Sequence, residues 1–130
     1  MQRFASLDIG SQTIRLLVAD VSPDGRLIPV LRKHAIIRLG EDMLDTGTLK
    51  KDASARAVAC IAHFIQQAQK LEPEGVYAVA TACVRTAENS AVFLNEVFNQ
   101  TGVMPTVLTG QKEARIALAG VLSGMPSMPD

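Results

Sequence analysis

Between two apolar runs the chain reads Asp8-Ile9-Gly10-Ser11-Gln12-Thr13. A carboxylate closing a buried strand can hold a magnesium ion, directly or through water. Gly10 permits close backbone approach, and successive N–H groups in a tight turn form a concave anion site. Ser11 and Thr13 add hydroxyl donors. A plainer reading has Asp8 and Ser11 satisfying the backbone of their own turn. Spacing alone leaves both open.

Two later clusters raise the same question. In Thr81-Ala82-Cys83-Val84-Arg85-Thr86-Ala87-Glu88-Asn89 an arginine follows an apolar run, and its fixed fork of donors suits a phosphate. A surface ion pair or a helix cap is the alternative. In Thr109-Gly110-Gln111-Lys112-Glu113-Ala114 a glycine precedes a helix, leaving N–H groups free, and Glu113 falls in the first turn. The helix dipole alone explains a carboxylate there. Beside bound phosphate the same group can orient and deprotonate water. Cys83 has no histidine near it in sequence and reads as structural.

Acting together would require elements that bring these clusters to one place. Residues 3–9 and 13–21 read as strands around the polar turn. Ser22-Pro23-Asp24-Gly25 is hairpin punctuation, and a third strand spans about 26–37. Pro29 inside it cannot donate to a ladder, which marks an edge strand. Val58, Ile61, Ala62, Ile65 and Ala68 recur at helical spacing, predicting one helix over 50–71 with His63 off the apolar stripe. A strand at 76–80, a helix at 90–100 ended by Gly102, a strand at 105–109 and a helix at 111–123 follow. The order βββ-α-β-α-β-α gives an α/β domain with a mixed five-stranded sheet in a ribonuclease H-like layout, its later strands parallel to the first. Clefts in such sheets open at the carboxyl ends of the parallel strands, where all three clusters would emerge.

The totals fit one globular domain over 1–124 followed by a proline-containing linker over 125–130. Of 130 residues 48% are hydrophobic and 20% charged, with zero formal net charge. That balance argues against a disordered tail or a basic nucleic-acid binder. Apolar runs fall well short of the ~20 residues of a membrane helix, and no secretory signal opens the chain. With two isolated cysteines and two isolated histidines, neither a disulfide framework nor a histidine metal centre is expected, and a reducing cytoplasm is the plain setting.

Taken in order, the motifs resemble those of the Ppx/GppA family, the exopolyphosphatases and guanosine pentaphosphate phosphohydrolases of the actin-like ATPase superfamily. Residues 8–13 look like its D-x-G-S-N-S loop, and Arg38-Leu39-Gly40 matches its R-L-G segment. Thr81–Asn89 fits T-x-A-x-R-x-A-x-N with one shift, and Thr109–Ala114 is similar to S-G-x-E-E-A. The resemblance covers nearly the whole chain. It implies that Asp8, Gly10 and Ser11 form a phosphate and Mg²⁺ loop with Gln12 and Thr13. Arg85 and Gly110 would bind phosphate, and Glu113 would be the catalytic base. Gln12 and Thr13 replace the usual Asn and Ser, and Lys112 replaces the first glutamate of a pair. No D-x-G-G-G-S loop of the family's second domain occurs, so the expectation is the N-terminal domain of a longer protein, inactive alone. The implied substrate is polyphosphate or guanosine pentaphosphate. An ATP-dependent sugar or acetate kinase-like phosphotransferase and a non-catalytic binding module are the rival readings. Oligomeric state, a homodimer included, is not encoded in these motifs.

Overall fold

The computed structural model describes residues 1–108; the helix expected over 111–123 and the tail over 125–130 lie outside that range. β1 (Gln2–Ile9), β2 (Thr13–Val21) and β3 (Leu27–Ile36) form an antiparallel meander. Gly25, at φ 84°, closes the second turn by donating its N–H to Ser22 O at 2.9 Å. The sheet order is β3-β2-β1-β4-β5, which puts β3 and its Pro29 at an edge as the missing N–H requires. Val18 faces Leu31 while Ala19 faces Pro29, leaving Val30 as the extra residue of a bulge.

β4 (Gly75–Ala80) runs parallel to β1, and β5 (Thr106–Val107) parallel to β4. Ile9 pairs with Ala80 and Ala80 with Val107, so the three parallel strands end level. This is the mixed five-stranded, ribonuclease H-like arrangement that the order of elements predicts. β5 is shorter than expected, starting after Pro105, which has no N–H to enter a ladder.

One face of the sheet carries the core. Ala5, Leu7 and Ile9 of β1 alternate inward with Ile14, Leu16 and Val18 of β2. Against them pack α2 (Lys51–Gln69), through Ala57, Ile61, Ile65 and Ala68, and α4 (Ser90–Thr101), through Phe93 and Val97. Each fully buried Leu or Ile stabilises the fold by about 1.5–3 kcal/mol. Ala62, expected on the inward stripe, is only half-buried, and Phe64 takes a core position instead. Gly102, at φ 73°, ends α4 by donating to Phe98 O.

Two short helices were not predicted: α1 (Met43–Thr46) and α3 (Ala82–Thr86). Four or five residues are too few to show a period. Arg3 ties the base of the sheet together, donating from Nε to Asp20 Oδ1 at 2.7 Å and from Nη2 to Oδ2 at 3.0 Å. Its Nη1 reaches Leu71 O beyond α2 at 3.0 Å. Among the described residues, no helix is long and apolar enough to cross a membrane.

Candidate functional site: a backbone loop at the strand ends

The chain leaves β1 at Ile9 and enters β2 at Thr13. Gly10 N–H donates to Thr13 O at 3.1 Å, and a Cβ on Gly10 would stand only 2.9 Å from that same oxygen. A side chain is therefore excluded by space. The next two carbonyls turn toward the segment 37–40. Ser11 O accepts from Gly40 N–H at 3.0 Å, while Gln12 O accepts from Ile37 N–H at 2.9 Å and Arg38 N–H at 3.0 Å.

Every carbonyl from Ser11 to Thr13 is thus engaged, whereas the N–H groups of Ser11, Gln12 and Thr13 donate to no acceptor among the described residues. A trans peptide points its N–H opposite to its carbonyl, so the Gln12 and Thr13 N–H groups face away from residues 37–40. Nor do the Asp8 and Ser11 side chains bond to the turn backbone, again among the described residues. The plainer reading of the loop does not describe this geometry. A row of unused donors does.

Asp8 stands on the sheet face opposite the core, paired across the strands with Arg15, which pairs in turn with His34. Its side chain reaches solvent. The flanking strands nevertheless desolvate it enough to push its carboxyl above the usual range, with the Arg15 charge pulling the other way.

The second cluster joins the first through backbone. Thr81 N–H donates to Ile9 O at 3.3 Å, and α3 begins immediately after it. Cys83, in α3, lies buried beside Ser11; burial pushes its thiol up, and the Ser11 side chain acts in the opposite direction. A raised thiol pKa fits a structural cysteine. Arg85 is exposed on the same short helix. Its Nη1 donates to Leu108 O at 3.3 Å, and Leu108 N–H donates to Ala80 O at 2.9 Å. Arg85 is therefore anchored to the end of β5, one residue before Thr109. Gly110 and Glu113 lie outside the described residues.

Asn89, last of the Thr81–Asn89 run, has a structural task. Its Oδ1 accepts from Leu49 N–H at 2.9 Å and its Nδ2 donates to Leu49 O at 3.0 Å, holding the lead-in of α2 against the start of α4. Arg38-Leu39-Gly40 matches the family's R-L-G segment, and its role here is structural. Leu39 is fully buried, and Gly40 fits between Ser11 and Cys83. The sequence signal for this segment is its R-L-G match, which carries no geometry by itself. A groove of about 600 Å³ between α2 and α4 contains none of Asp8, Gly10 to Thr13 or Arg85.

Comparison with known proteins gives this geometry its relatives. The Ppx/GppA phosphatase family matches residues 17–129. The chain belongs to that family. It is 34% identical over 119 residues to exopolyphosphatase 1 of Mycobacterium tuberculosis, covering 92% of this chain and 35% of that protein. It is 32% identical over 125 residues to a bifunctional 3-dehydroquinate synthase/phosphatase of Fusobacterium nucleatum, covering 92% of this chain and 19% of the relative. A crystal structure of the Aquifex aeolicus Ppx/GppA family member superposes with a TM-score of 0.84 at 33% identity, over 92% of this chain and 39% of that one. The chain thus spans well under half of each.

Proposed function

We propose that the chain is the phosphate-gripping N-terminal domain of a phosphoanhydride hydrolase acting on the terminal phosphoryl group of polyphosphate or guanosine pentaphosphate. The observation that carries this is the loop Ser11 to Thr13, whose carbonyls are all bonded while its N–H groups have no acceptor among the described residues. Such donors suit the negative charge of a phosphoryl oxygen and need no reorganisation as the reaction proceeds. Arg85 contributes a fixed positive fork at the same strand margin, anchored through Leu108.

Phosphoryl transfer passes through a loose transition state, so positioning and charge stabilisation supply most of the acceleration. In this reading the loop and Arg85 fix the terminal phosphoryl group, and Glu113 orients and deprotonates the attacking water. The Asp8 carboxylate, a hard oxygen donor that reaches solvent, is the side chain in this loop that would hold Mg²⁺. No cluster of three metal-ligating side chains exists among the described residues, so Asp8 would hold Mg²⁺ together with water and substrate oxygens. The ion would neutralise charge on the leaving phosphate. The second wall of the cleft would come from a further domain, since the relatives extend well beyond the matched region.

The deciding experiment is Glu113→Gln in the intact protein. Turnover of polyphosphate should fall by roughly 10²–10⁴-fold while substrate binding persists. Near wild-type turnover would remove Glu113 from the mechanism. Phosphate release that requires an added acceptor would instead favour a phosphotransferase.

A further inference from the structure

We propose that residues 37–40 act as a positioning strap for the anion loop, with Gly40 as the residue that sets the placement of Ser11. The inference rests on the reading of residues 11–13 as phosphate donors. Leu39 is buried in the core at 0% exposure, fixing the strap from beneath. Arg38 adopts φ 60°, a left-handed conformation rare for a side chain of its kind, and its N–H bond to Gln12 O helps hold it there.

From this fixed base, three strap N–H groups take the two carbonyls that would otherwise be free to turn toward an anion. Ile37 and Arg38 hold Gln12 O, and Gly40 holds Ser11 O. Each captured carbonyl orients the N–H on the far side of its own peptide plane. The strap therefore determines which way the Gln12 and Thr13 donors face, without touching substrate itself.

Gly40 is needed for space. It has no positive φ, so alanine is allowed by its backbone. A Cβ there would stand 3.2 Å from Ser11 Cβ and 3.3 Å from Cys83 Cβ, tighter than ordinary contact. Cys83 belongs to α3 and is buried, which leaves the loop as the side free to yield. Gly40→Ala should push Ser11 and its peptide off the geometry the donors need.

The test is an inorganic phosphate titration of the intact protein with ¹⁵N-labelled Gln12 and Thr13, alongside steady-state kinetics. In wild type both amide signals should shift. In Gly40→Ala the phosphate midpoint should rise roughly tenfold, with KM up and kcat down, because sub-ångström misplacement is costly in a preorganised site. Adding Cys83→Gly, which opens the 3.3 Å contact, should recover part of the affinity. A lower melting temperature with unchanged phosphate midpoint and kinetics would reduce Gly40 to packing and overturn the inference. So would failure of both variants to fold. No amide shift in wild type would instead overturn the reading of the loop as an anion site.

Discussion

Arg85, in the last turn of α3, donates from Nη1 to the carbonyl oxygen of Leu108, 23 residues further on, at 3.3 Å. One hydrogen bond thus ties the second polar cluster to the strand that leads into the third. A guanidinium offers five N–H donors, so this anchor leaves others for an anion. The arrangement anchors the side chain through one donor of its fork.

Replacing Arg85 separates those two tasks. Arg85→Lys keeps the charge but loses the fork, and kcat/KM of the intact protein should fall by roughly 10²-fold. Arg85→Ala should fall further. The lost bond to Leu108 is worth only about 1 kcal/mol, so both variants should melt within a few degrees of wild type. Loss of activity matched by wholesale unfolding would make Arg85 a structural clamp.

Asn89 predicts the opposite pattern. Its amide satisfies both the N–H and the carbonyl of Leu49, a residue only 3% exposed. Asn89→Ala leaves both unpaired, at a cost of about 1–3 kcal/mol. The melting temperature should drop by roughly 5–10 °C. Phosphate affinity of the folded fraction should not change, since Asn89 reaches none of the loop donors. A tenfold weaker phosphate midpoint without destabilisation would move it into the site.

The strands were legible because their physics is local. Thr13–Val21 shows alternation and a following hairpin signal, and Pro29 announces an edge; the sheet order follows from those and from crossover rules. α2 and α4 were legible from their period. The short helices α1 and α3 were not, and neither was the bulge at Val30, which depends on how two strands share a register. The site divides the same way. Asp8, Gly10, Ser11 and Arg85 stand out by type and spacing, whereas the strap depends on a left-handed Arg38 and on space between Ser11 and Cys83. Tertiary packing creates both; the R-L-G match at residues 38–40 marks the segment without encoding either feature.

At the base of the sheet, the Arg3 guanidinium holds the Asp20 carboxyl below the usual range through a two-pronged bond. A carboxyl depressed on folding contributes stability above its unfolded pKa and loses it as pH falls through the folded value. Asp20→Asn should therefore lower the melting temperature at neutral pH, and its difference from wild type should shrink steadily on acidification below about pH 4. A difference that stays constant down to pH 2 would show that the pair stabilises by packing, with charge playing no part.

Asp8 completes the set because its role should be visible in metal dependence. Its carboxyl is raised by burial while the Arg15 charge works against that shift, and a divalent cation bound there would favour the ionised form further. Asp8→Asn keeps the shape and removes the charge. In the intact protein, the Mg²⁺ concentration for half-maximal phosphate release should rise by roughly tenfold or more, the factor for about 1.4 kcal/mol of lost metal affinity. Metal-free phosphate binding should change little, because the loop N–H groups do not depend on this side chain. An unchanged Mg²⁺ requirement would place the ion elsewhere and leave Asp8 as a solvated strand residue paired with Arg15.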